Sequence, residues 1–144
     1  YVIGGTGPEE QHLRSLAQEL GIADRIRFPG HISERELPDY LAATDLFVSL
    51  DVADFDISPY EALALGAAVI WATEMDLEEP LHGYPRLFPV EPEPGPVAAA
   101  MASVLDQPDG RIRLPDRLRR YTWENYFGRK LEELRQVVAE LRAP

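Results

Sequence analysis

LFVSLDVADFDISPYEALALGAAVIWA, residues 46–72, carries the plan of the fold. Leu46-Phe47-Val48-Ser49-Leu50 is a short apolar run of strand length. Asp51 to Asp56 follow as an acidic loop. Ser58-Pro59-Tyr60-Glu61 has the form of a capping box with Pro at the first helical position, so a helix is expected to begin there and to stop at Gly66. Ala67-Ala68-Val69-Ile70-Trp71-Ala72 is apolar throughout, as a parallel strand buried on both faces should be. Strand, polar loop, capped helix and buried strand make one βαβ unit.

The same alternation extends outward. Tyr1-Val2-Ile3 reads as a buried strand that runs into the turn Gly4-Gly5-Thr6-Gly7-Pro8. Glu9 and Glu10 open a helix whose apolar residues Leu13, Leu16, Ala17 and Leu20 recur at helical spacing, with Gly21 as its stop. Ile26-Arg27-Phe28 predicts a second strand, ended by Pro29-Gly30. Ser33-Glu34-Arg35-Glu36 is another capping box and starts a helix to about Ala43. Beyond the central unit, residues 73–85 form an irregular acidic connection, and Arg86 to Val90 a fifth strand. Glu91 to Pro96 is a Pro-rich turn, with a helix from about Pro96 to Leu105. A last helix from Trp123 to Leu141 presents Tyr126, Leu131, Leu134, Val137, Val138 and Leu141 as its apolar face. The expected fold is α/β: a Rossmann-like parallel sheet with helices on both faces, in one domain over residues 1–144.

Composition narrows the function. The 144 residues and 45% apolar content suit one globular core. With no Cys, thiol chemistry and Cys-based metal sites are excluded. No apolar run reaches the roughly 20 residues that span a bilayer, and no signal-peptide pattern is present, so the default expected address is cytoplasmic. Net charge is −11, with 5 Arg/Lys against 20 Asp/Glu in residues 1–110 and 9 against 5 in residues 111–144. So acidic a body is repelled by nucleic-acid phosphates and anionic lipid heads. The basic stretch from Arg111 to Lys130 has no groove-reading motif beside it and reads as a solvated face.

In open parallel sheets ligands bind outside the carboxyl ends of the strands. Three loops fall there: Gly4–Pro8, Pro29–Ser33 and Asp51–Ser58. Gly5 and Gly7 allow backbone to approach a ligand, and the following helix start offers free N–H groups. A plain tight turn explains the same residues, and Glu10 breaks the dinucleotide pattern at its third Gly. A receiver domain would need an acidic pair where Gly4-Gly5 stand. His12 and His82 have no visible Ser, Cys or Asp partner, so a nucleophilic triad is not indicated.

Five stretches in order resemble the retaining nucleotide-sugar glycosyltransferases of the GT-B fold, family 4 or group 1, in their donor-binding C-terminal half. They are Ile3-Gly4-Gly5-Thr6-Gly7-Pro8, Ile26 to Ile32, Leu37 to Val48, Glu61 to Ile70 with Ala68 in place of the family's Pro, and Tyr121-Thr122-Trp123. The resemblance implies transfer of a sugar from a nucleoside diphosphate to an acceptor, with no metal or other cofactor. It implies that Glu61 binds the ribose, that His31 and Ile32 lie on the nucleobase side, and that Phe55, Ile57 and Ser58 join Gly5 and Gly7 around the substrate. Glu61 can serve both the ribose and the helix cap, because one oxygen can take each role.

The family's first glutamate falls at Ala53, a departure from the pattern. Asp54 is the nearest carboxylate that could take over the contact to the transferred sugar. Asp51, Asp54 and Asp56 also read as a solvated acidic loop, and their spacing does not match a calcium loop. The Arg and Lys that hold the diphosphate in the family come from a preceding strand–helix unit. The chain, which opens at Tyr1, is therefore expected to be a piece of a longer protein whose acceptor domain is its partner in activity. The competing reading is a non-catalytic binding or scaffold module with a degenerate donor site.

Overall fold

A computed structural model describes residues 1–50, 57–73, 81, 83–107 and 123–141. The elements in chain order are β1 (Val2–Gly4), α1 (Glu10–Glu19), a single 3-10 turn (Ala23–Arg25), β2 (Arg27–Gly30), α2 (Leu37–Ala42), β3 (Leu46–Ser49), α3 (Ser58–Ala64), β4 (Ala68–Ala72), β5 (Leu87–Val90), α4 (Pro94–Leu105) and α5 (Trp123–Leu141). The strands form two sheets, β1-β2 and β3-β4-β5, and every pairing is parallel. The chain divides into two compact units, Tyr1–Ala43 and Thr44–Pro144.

In the first unit β1 and β2 pair Val2 with Arg27 and Gly4 with Gly30. Two steps on one strand face three on the other, so β2 carries a bulge. Pro29 lies inside it, where a missing N–H costs no ladder bond. The expected end of this strand at Phe28 is therefore corrected: pairing continues through Pro29 to Gly30, whose carbonyl accepts the Gly5 N–H at 2.7 Å. Helix α1 closes as foreseen at Gly21. With φ at +66°, Gly21 donates to the Gln18 carbonyl, and Ile22 donates to that of Ala17. This is the Schellman arrangement, which satisfies carbonyls the helix leaves open. Of the expected apolar face of α1, Ala17 is buried and Leu13 half-buried, whereas Leu16 and Leu20 are exposed.

The helix expected from Ser33 begins at Leu37. Ser33 to Leu37 instead form a turn in which the Glu36 and Leu37 N–H groups both donate to the Ser33 carbonyl. Pro38 accounts for the delay: it has no N–H for the Glu34 carbonyl, so the regular ladder starts only past it.

The second unit holds the core. All five residues of β4 are buried, with Ala68, Val69, Ile70 and Ala72 at 0% exposure. Its neighbours are β3, in register Leu46 to Ala68 through Ser49 to Trp71, and β5, in register Val69 to Leu87 through Ala72 to Val90. Helices α3 and α4 pack on this sheet. Helix α3 buries Pro59, Ala62 and Leu63 and ends in a second Schellman turn, with Gly66 at φ +88° and the Ala67 N–H donating to the Ala62 carbonyl.

The capping box foreseen at Ser58 is corrected, because Ser58 is already helical and Ile57 holds the N-cap position. The Ile57 carbonyl receives both the Tyr60 and Glu61 N–H groups at 3.1 Å, so the helix gains a residue at its start. The Pro-rich turn is corrected as well: α4 begins at Pro94, and Val97 is its first donor, bonded to the Glu93 carbonyl at 3.1 Å. The first four N–H groups of a helix have no internal acceptor, so Pro94 and Pro96 forfeit nothing there. Of the apolar face expected on α5, Leu131, Leu134, Val137 and Val138 are exposed. No helix among the described residues is long and apolar enough to cross a membrane.

Candidate functional site

In the first unit the glycine turn and the turn after β2 meet. Gly5, at φ +107°, is tied through its N–H to Gly30, which is itself at φ +76°. A Cβ on Gly5 would touch nothing within 4 Å, so the need for Gly there is conformational. Gly4 is different. A Cβ on it would stand 2.6 Å from Ile32 Cδ1, so its bare backbone is what lets the Ile32 side chain lie across the end of β1. The half-buried Ile32 thus comes beside the glycine turn, while His31 is exposed. Gly7 is exposed and its Cβ position is open.

A cleft of about 340 Å³ opens on this turn, walled by residues 4–10 with Ile3, Leu13 and Phe28. Its Glu9 and Glu10 oppose an anion. The structure adds a cation that the three loops lacked. Arg14, one helical turn beyond Glu10, donates to the Glu10 carboxylate from Nε at 3.0 Å and Nη2 at 2.8 Å. Its guanidinium also lies 4.4 Å from the Phe28 ring centroid and donates to the Phe28 carbonyl at 3.4 Å. Arg14 therefore offsets one of the two glutamates and fixes the Phe28 wall. The i, i+4 spacing of Glu10 and Arg14 was the legible signal; the stacking on Phe28 was not.

Around Ser33 the Glu36 carboxylate reaches the Ser33 N–H as a capping box requires, but the hydroxyl donates to that carboxylate instead of accepting the Glu36 N–H. The Ser33 hydroxyl donates to Glu36 Oε2 at 2.5 Å, and the Ser33 N–H donates to the same oxygen at 3.3 Å. The hydroxyl bond above all, then the amide bond and the nearby His31, hold the Glu36 carboxyl below the usual glutamate range.

In the second unit, Ile57, Ser58 and Glu61 stand at the start of α3, which follows the carboxyl end of β3. Ile57 is exposed, and Ser58 and Glu61 are half-buried. Between them Tyr60 meets Trp71 of β4 edge to face, ring centroids 5.4 Å apart at 84°. Ala53, Asp54 and Phe55, with Asp51 and Asp56, lie outside the described residues, as do Arg111 to Thr122. Among the described residues no group of His, Asp or Glu is arranged to hold a metal ion.

Parallel strands flanked by helices, with their polar turns at the carboxyl ends, are the Rossmann-like half of a GT-B fold. The chain belongs to the group 1 glycosyl transferases, whose family model matches residues 1–122. It is similar to D-inositol 3-phosphate glycosyltransferase 2 of Catenulispora acidiphila, 29% identical over 94% of this chain and 36% of that protein. It is also similar to a GDP-mannose-dependent alpha-(1-6)-phosphatidylinositol monomannoside mannosyltransferase of Mycobacterium tuberculosis, 38% identical over 48% of this chain and 20% of that protein. A mannosylfructose-phosphate synthase of Agrobacterium fabrum is 32% identical over 47% of this chain and 16% of its own length. The chain thus spans about a third of the first relative's length and less of the others.

Proposed function

We propose that this chain is the donor-binding domain of an enzyme that moves a sugar from a nucleoside diphosphate to an acceptor. Glu61 carries the proposal. It sits in the first turn of α3, half-buried, beyond the carboxyl end of a parallel strand. A carboxylate so placed accepts two hydrogen bonds from a ribose diol. The family match supports the reading, and so does the donor named for the mycobacterial relative. Gly5, Gly7, His31 and Ile32 are substrate-binding residues in this reading as the family resemblance implies, His31 and Ile32 for the base. Transfer rests on positioning and on electrostatic handling of the leaving diphosphate, completed by an acceptor domain of the same full-length chain.

Glu61→Gln in the full-length protein tests this. The amide accepts more weakly than the carboxylate, and losing a charge-assisted hydrogen bond costs about 1.5–3 kcal/mol. Calorimetric titration of uridine, guanosine and adenosine diphosphates is expected to show a drop in affinity of about tenfold or more for the one that binds. The thermal melt should change little.

A second reading, a scaffold module with a degenerate site, is favoured by Ala53 at the family's first glutamate position. Ala53→Glu restores that pair and leaves nucleotide binding intact if the site is alive. Absence of binding by the wild-type protein at millimolar nucleotide gives the scaffold reading its place.

A further inference from the structure

Trp71 is 2% exposed on a strand whose other four residues are Ala, Val and Ile. It is the largest side chain of the strand and the second from its carboxyl end. Its ladder partners are Ser49 of β3 and Pro89 of β5. Its indole N–H is buried, with no hydrogen-bond partner among the described residues. Buried indoles usually find such a partner, and a phenyl ring would fill an apolar slot without leaving a donor unpaired. Packing alone therefore does not account for Trp here. Length does: the indole spans from the strand to Tyr60, in the first turn of α3.

That turn begins on backbone bonds, with the Ile57 carbonyl taking the Tyr60 and Glu61 N–H groups. No side-chain cap reaches the helix from its N-cap residue, Ile57. Successive residues on a helix lie about 100° apart, so any roll of the turn that moves Tyr60 swings Glu61 with it. From the Tyr60–Trp71 contact we infer that Trp71 is a positioning residue for Glu61, a wedge that fixes how the first turn of α3 is rotated and thus where the ribose-binding carboxylate stands. The inference rests on the nucleotide reading of Glu61 and adds the residue that aims it.

A double-mutant cycle in the full-length protein decides it, read by calorimetric titration of the same three nucleoside diphosphates. Trp71→Leu is expected to weaken binding on the order of fivefold. Trp71→Phe, a shorter ring that reaches Tyr60 less fully, recovers part of that loss. In the Glu61→Gln background Trp71→Leu adds little, because the group it aims is already disarmed. Losses that multiply independently, or equal losses from Phe and Leu, overturn the positioning role. If Glu61→Gln weakens binding and Trp71→Leu does not, the positioning role alone falls. An unchanged affinity in Glu61→Gln, or no binding by the wild type, removes the ribose reading and the inference with it. Should Trp71→Leu fail to fold, Tyr60→Leu cuts the same contact from its half-buried side and enters the cycle with the same expectations.

Discussion

Ser33 and Glu36 show how one residue pair can satisfy a sequence motif and still build a different local structure. The Ser-x-x-Glu pattern did predict a bond between the two, and the Glu36 carboxylate does reach the Ser33 N–H. The Ser33 hydroxyl, however, is spent on that carboxylate. The consequence is electrostatic. A carboxyl whose folded value is depressed contributes stability that is complete above its unfolded value and is lost as pH falls through the depressed one. The Ser33–Glu36 turn should accordingly hold at neutral pH and release only in acid, below the usual glutamate range. Ser33→Ala removes the larger cause of the depression. Carboxyl-detected NMR titration should then find the Glu36 midpoint moved up toward the ordinary value, with the amide bond from residue 33 and the His31 attraction left to lower it. An unmoved midpoint would refute the assignment.

At the scale of elements, the sequence disclosed which segments are helix and strand far better than where they begin. Strands β3, β4 and β5 and helices α1, α3 and α5 lie where periodicity and apolar runs put them. The misplaced boundaries involve prolines in three cases: Pro29 inside β2, Pro38 delaying α2, and Pro94 opening α4. A proline is read as a break, yet its real constraint is a missing N–H, and that matters only where an acceptor waits. Bulges and first turns have none, and tertiary pairing decides which case applies. Gly5, Gly7 and Glu61 could be picked from the sequence as site candidates. Arg14 on Phe28 and Trp71 on Tyr60 could not, because each joins residues that only the folded backbone brings together.

Glycine conformation can be tested at the same scale. Gly21 has φ +66° and open space at its Cβ position. Gly21→Ala therefore meets only the left-handed backbone penalty, about 1–2 kcal/mol, in urea denaturation. Gly7 has neither a positive φ nor a close neighbour, and Gly7→Ala should stay within about 0.5 kcal/mol of wild type. Equal losses at the two positions would contradict the backbone assignment.

For the whole molecule, burial is concentrated in one place. The second unit centres on β4, and Glu124, Asn125 and residues 127–138 of α5 are exposed. The acidic charge falls on the residues up to 110 and the basic excess on those after it, which sets the chain against anionic polymers rather than toward them. The stability of the core thus depends on β4 finding its neighbours. Leu46 and Ala68 stand side by side in the ladder, yet residues 50–57 and the whole of α3 separate them along the chain. Parallel strands cannot be joined by a hairpin, so the connection through α3 has to double back for the second strand to lie beside the first.

The Schellman turn at Gly66 is where that return is made, which gives it a role in time as well as in space. Closing the ladder is limited by the entropy of drawing its ends together, and a preformed α3 with its reversal at Gly66 shortens that search. Gly66→Ala should therefore act on the speed of folding, slowing the refolding arm of a stopped-flow chevron more than it quickens unfolding. A change confined to the unfolding arm would mean that the strands meet first and the turn is made afterwards. On the expected outcome, Gly66 acts as a clock for the sheet: the chain folds no faster than it can reverse there.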